Sequence, residues 1–162
     1  VGCQQYTGVS LSQTRACTAT ERCNSCLGSQ CLPVTTFQRY FVHDYGRLSG
    51  RYEIKNEIYT RGPVVCTIDI TESFNNYQGG IYVQESQELV IGKRHVSVVG
   101  WGYDDAGGQM YWIARNSWGT GWGDLGYFRV LVGQEDKNLH IERDCSYGIP
   151  TAEPGRDLTD LQ

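Results

Sequence analysis

The chain has little of what membrane-spanning and nucleic-acid-binding proteins need. No apolar run approaches the roughly 20 residues that cross a bilayer. The longest, Val96–Val99 with its neighbours, falls far short, and mean hydropathy is −0.43. Basic residues are not in excess: 14 Lys and Arg face 18 Asp and Glu, a net charge of −4, which argues against a phosphate-binding surface. There is one Met, and no Asn-X-Ser/Thr sequon, so no N-glycan argues for secretion. The chain begins at Val1 without an initiator Met or a signal peptide, and it has no internal repeat or low-complexity tract. These absences leave 162 residues, 40% hydrophobic, that suit one globular domain or a large part of one. A chain of this length can bury a core without disulfides.

Cysteine and glycine are what the chain does have. Five of the seven cysteines, Cys3, Cys17, Cys23, Cys26 and Cys31, lie in a stretch otherwise rich in Ser, Thr, Gln, Gly and Asn. Without an apolar period to pack, that stretch is expected to be a loop-rich, cross-linked segment in an oxidising compartment. Two other chemistries compete. Zinc could take Cys17, Cys23, Cys26 and Cys31 as four thiolates, but the spacing is not that of two CxxC knuckles. A redox pair at Cys23–Cys26 would need a βαβ pattern, which is missing. Neither a metal nor any other cofactor is therefore expected. The odd cysteine count leaves one thiol for a partner outside the chain.

The clearest helix is Ser49–Arg61, with Ser49 as cap and Ile54 and Ile58 spaced i, i+4. Gly62-Pro63 ends it. Strands are expected at Val64–Ile70, Ile81–Tyr82, Leu89–Ile91, His95–Gly100, Met110–Arg115 and Tyr127–Val132. Gly92–Arg94 would join two of them, and Asp104–Gln109 would form a hairpin loop. Several strands after one helix imply an α+β protein dominated by an antiparallel sheet. Residues 1–48 read as the disulfide-rich connecting segment, 49–150 as the sheet domain and 151–162 as a polar tail.

The block Asn116-Ser117-Trp118-Gly119-Thr120-Gly121-Trp122-Gly123, preceded by Val96–Gly102 with its Gly-Trp-Gly, resembles the C-terminal half of a papain-family cysteine peptidase. Gly62-Pro63-Val64 and Gly79-Gly80-Ile81-Tyr82 fall in matching order. The cysteine spacing and Asp44–Arg51 are more similar to the cathepsin Z (cathepsin X) branch than to papain or to cathepsins B and L. The resemblance implies a papain-like fold, here as a barrel-like sheet domain, in a lysosomal, secreted or other lumenal protein. It implies thiol-dependent peptide hydrolysis, of the carboxypeptidase type in this branch, with a peptide or protein as partner. In that chemistry a Cys thiolate attacks the carbonyl, a His pairs with it and protonates the leaving amine, and an Asn orients the imidazole. His95 is the candidate base, Asn116 the orienting residue, and Trp118 the shield over their hydrogen bond. Thr67 and Val96 correspond to walls of the pocket for the second residue back from the cut, and Asp144 lies near its base. The resemblance also pairs Cys66 with Cys145.

Two features depart from the family pattern. A Cys-Gly-Ser-Cys-Trp type nucleophile signature, about 130–150 residues ahead of the His and Asn in the family, does not occur in this chain. The helical half that carries it is expected to be another chain, a cleaved partner or a further part of the same protein, linked through Cys3. The second departure is one of register. The family His lies six residues before the first Gly of the Gly-aromatic-Gly element, and six before Gly100 stands Arg94, not His95. A one-residue shift turns a strand side chain to the other face. A bulge, or a deletion directly after His95, would return His95 to the cleft. His43 and His140 carry no motif. The alternative to an active peptidase is a catalytically inactive homologue serving as a structural or binding subunit.

Overall fold

The computed structural model describes residues 23–27, 30–36, 39–85, 87–105 and 107–153. Cys3 and Cys17, two of the cysteines expected to pair, lie outside them. The chain divides into two compact units, Val42–Ile149 and a smaller one comprising Val1–Phe41 and Pro150–Gln162.

In the smaller unit, strands β1 (Asn24–Leu27) and β2 (Gln30–Pro33) pair antiparallel, with Cys26 opposite Cys31. Those two sulfurs are bonded to each other. The bond removes two of the four thiolates the zinc reading needs, and it takes Cys26 out of any pairing with Cys23. Cys23 is buried, and its carbonyl accepts from the Val34 N–H at 3.0 Å.

The large unit grows from helix α1 (Arg51–Arg61), which lays Ile54 and Ile58 into the core. Its start differs from the expected cap. Gly50 is the N-cap, at φ 80°, and the Ser49 N–H instead donates to Glu53 Oε2 at 2.9 Å. Gly62 ends the helix at φ 109°, with its N–H on the Ile58 carbonyl. Strand β4 (Val64–Ile70) follows, then a one-turn helix α2 (Glu72–Asn75) capped by Thr71, and β5 (Ile81–Tyr82). The next strand, β6, is longer than the pattern predicts. It runs Gly92–Tyr103, so Gly92–Arg94 belong to it, while Leu89–Ile91 form no strand. β7 (Met110–Arg115) and β8 (Tyr127–Leu131) complete a meander, and β9 (Cys145–Glu153) carries residues 151–153 on as strand.

With β3 (Arg39–Leu48), which the sequence reading missed, these strands form one sheet in the order β3-β9-β4-β6-β7-β8-β5. The sheet is mixed, since β5 pairs parallel to β8. It is open, with β3 and β5 at its edges, which corrects the barrel-like expectation. The period-2 alternation places Cys66, Ile68, Val96, Val98, Trp112, Ala114, Phe128 and Val130 on one buried face. Cys66 and Cys145 face each other in β4 and β9 and are joined by a disulfide. Among the described residues no helix is long and apolar enough to cross a membrane.

Candidate functional site

The pairing of β4, β6 and β7 decides what each face presents. Ile68 lies opposite Arg94, Thr67 opposite His95, and Cys66 opposite Val96. Ile68, Cys66 and Val96 point into the core, so Arg94 shares their face and His95 is turned to the other. Across the next ladder Ser97 meets Arg115 and Val98 meets Ala114, so Asn116, two residues past buried Ala114, belongs to the Val96 and Arg94 face. β6 does contain a bulge, at Val98–Gly100. With that bulge in place, Arg94 and not His95 lies against the Asn-Ser-Trp block: its guanidinium stands 5.4 Å from the centroid of the Trp118 ring.

Trp118 is held from below. It makes an edge contact with Trp122, centroids 4.8 Å apart, and both rings pack on Phe74 from α2. The Trp122 Nε1–H donates to the Asn75 carbonyl at 2.8 Å, so the indole is fixed at its polar end as well. The chain can turn this tightly only because Gly123 takes φ 58°; a Cβ there would stand 2.6 Å from the Tyr127 carbonyl oxygen. Asn116 itself is 6% exposed. Its Oδ1 accepts from the Ser117 N–H at 2.8 Å, and its N–H donates to the Gly126 carbonyl. The buried Nδ2 has no hydrogen-bond partner among the described residues. Such an orphan costs about 1–3 kcal/mol in the folded state and marks a place where an acceptor is missing.

His95 lines a separate cleft of about 440 Å³ with Tyr45, Arg47, Val65, Thr67, Asp144 and Ser146. Thr67 Oγ1 donates to Asp144 Oδ2 at 3.1 Å and lies 3.2 Å from His95 Nδ1. A hydroxyl has one hydrogen, so Nδ1 carries the proton of the His95 contact and Thr67 accepts it. Thr67, His95 and Asp144 therefore form one polar chain along the cleft wall. Val96 is not part of it, being 3% exposed in the core. Of the other histidines, His140 pairs with Asp69 at 2.7 Å, and His43 is exposed. Sequence reasoning missed the contribution of β3, Tyr45 and Arg47; the β-formers Tyr40, Phe41, Val42 and Tyr45 were the available signal.

Residues 3–149 match the model of the family described as papain family cysteine protease. The chain belongs to the papain family of cysteine proteases. It is 39% identical over 141 residues to cathepsin Z of Onchocerca volvulus, covering 84% of this chain and 45% of that protein. It is 40% identical over 106 residues to cathepsin B-like cysteine proteinase 6 of Caenorhabditis elegans, covering 65% of this chain and 27% of that one. Among solved structures, procathepsin B S9 of Trypanosoma congolense superposes with a TM-score of 0.63 at 30% identity, over 71% of this chain and 38% of the other. The chain thus spans less than half the length of the curated relatives it matches. What it builds is mostly sheet, and in it Arg94, Asn116 and Trp118 share one corner of this papain-like domain.

Proposed function

We propose that this chain forms one wall of a peptide-binding cleft in a cathepsin Z-like member of the papain family, and that the cleft holds peptide without hydrolysing it. The observation that carries the reading is Arg94 over Trp118. Papain-type hydrolysis needs an imidazole that can exchange a proton with a thiolate. A guanidinium stays protonated at any working pH and cannot serve. His95 faces Thr67 from the neighbouring strand and, on the other face of the sheet, shapes a separate cleft beside Asp144. With Asp144 on its wall, that cleft suits a basic peptide side chain. The two disulfides agree with a lysosomal, secreted or other lumenal setting.

One observation favours a second reading, thiol-dependent hydrolysis of the cathepsin Z type, removing single C-terminal residues. The orphaned Asn116 Nδ2 is a donor that a neutral imidazole nitrogen could satisfy and a guanidinium could not. In that case His95 is the base and β6 slips by one residue in the assembled enzyme. The nucleophile and the partner half joined through Cys3 belong to this reading too. Peptide turnover by the native-length protein, with and without an epoxide-type thiol inhibitor, separates the two. The binding reading expects no inhibitor-sensitive turnover. Turnover that the inhibitor stops and His95→Ala abolishes would overturn it in favour of the peptidase.

A further inference from the structure

We infer that Arg94 and Asn116 together form a carboxylate-binding site at the corner where the family places its catalytic base, so that the ligand is a peptide presenting a carboxylate. The inference rests on the non-hydrolytic reading above and names the ligand chemistry of the same site. Three observations carry it. The Arg94 guanidinium lies 5.4 Å from the centroid of the Trp118 ring, and it offers five N–H donors in a planar fork. Among the described residues no carboxylate pairs with Arg94, although it is exposed and acidic residues outnumber basic ones in the chain. Asn116 Nδ2, 6% exposed as a residue, is a second donor on the same face with no acceptor.

Donors of this kind, one charged and one buried, call for a ligand that only accepts. A carboxylate fits: two oxygens with about four lone-pair sites can take the Arg fork side by side and still reach an amide N–H. A peptide carbonyl has one oxygen and no charge. A phosphate would also accept, but the family the chain belongs to is one of proteases, whose ligands are peptides. The carboxylate can come from a peptide C-terminus or from an Asp or Glu side chain, and the two sources share this chemistry.

The test uses fluorescein-labelled random hexapeptide pools and the native-length protein, read by fluorescence anisotropy. One pool lacks Asp and Glu and ends in a free acid. A second has the same composition and ends in an amide. A third is amidated and includes Glu. The free-acid pool should bind about tenfold or more tighter than its amide, the size expected of hydrogen bonds to a charged group. That ratio should fall to about one in Arg94→Gln, with Arg94→Lys in between, because Lys keeps the charge and loses the fork. Tight binding of the third pool assigns the site to side-chain carboxylates as well. Equal binding of acid and amide, a ratio unchanged in Arg94→Gln, or no binding of any pool overturns the inference. Mass spectrometry of the same mixtures reads the underlying reading separately: shortened peptides would sink the non-hydrolytic reading, whatever the acid-to-amide ratio.

Discussion

Trp112 buries its indole completely in the middle of β7, and a buried indole N–H needs an acceptor. Glu142 provides it: Oε1 accepts from Trp112 Nε1 at 2.9 Å and from the Gly133 N–H at 2.8 Å, and Glu142 is itself 6% exposed. Glu142→Ala leaves two donors without a partner and should lower unfolding free energy by about 2–4 kcal/mol. Glu142→Gln keeps the accepting oxygen and should lose about 1 kcal/mol or less. Urea denaturation of the two variants checks this; equal losses would mean that the acceptor is not what matters. At this scale the chain was partly legible. Counting residues from Gly100 and applying the strand period set Arg94 and His95 on opposite faces, as the pairing with Ile68 and Thr67 has them. The helix cap was not legible. Ser49 has the right side chain, but Gly50 supplies a positive φ that no propensity rule reads off Ser-Gly. Asn116 as an orphaned donor was equally hidden, since a motif says nothing about which of its atoms lacks a partner.

Leu89-Val90-Ile91 is a run of good β-formers, yet it forms no strand, and all three residues are exposed. The run is tied to β4 by the Ile91 N–H, which donates to the Ile70 carbonyl. Propensity describes a residue that fits a half-buried pleat, and there is no pleat here to join. The segment is clipped by a side chain instead. Glu88 accepts from the Ser73 N–H and hydroxyl at 2.8 Å each and from the Tyr82 hydroxyl at 3.3 Å. Partial burial pushes the Glu88 carboxyl up, but the hydrogen bonds from Ser73, Thr71 and Tyr82 outweigh it and hold the carboxyl below the usual value of 4.5. A carboxyl lowered in the folded state contributes stability that is complete above its unfolded value and is lost as pH falls through its folded value. Amide exchange in residues 87–91 should therefore accelerate as pH drops below 4.5, after correction for the intrinsic rate. Glu88→Gln should show the faster exchange already at neutral pH and no further acid step. A Glu88→Gln protein that exchanges like the parent at neutral pH would remove the clip from the account. Helix α1 and strands β4 and β7, by contrast, were legible, because each has a hydrophobic period and a packed partner that agree.

At the scale of the molecule, the sheet's closure and its cross-links could not be read from local pattern. Seven strands with alternating burial are compatible with a barrel or an open sheet. The difference lies in whether β3 and β5 meet, and neither the short β5 nor the unrecognised β3 gives any local sign of it. The Cys66–Cys145 bond came from family resemblance, since spacing alone cannot choose among seven cysteines. Its physical weight follows from where it sits. It joins β4 to β9, residues 79 apart in sequence, at a fully buried position where their Cα atoms already oppose each other. The folded state therefore needs little adjustment to accept it, and most of its effect falls on the unfolded chain, whose long loop loses freedom. For a loop of that length the chain-entropy model gives roughly 4 kcal/mol. A Cys66→Ala/Cys145→Ala variant should unfold at correspondingly lower denaturant, with a steeper dependence on denaturant because its unfolded state opens further. The Cys26–Cys31 bond closes a separation of only 5 residues in a two-stranded hairpin, so the same model gives it roughly half that contribution, about 2 kcal/mol. Equal shifts for the two bonds would show that loop length does not set their contribution, and that the β4–β9 link acts through packing of its buried sulfurs.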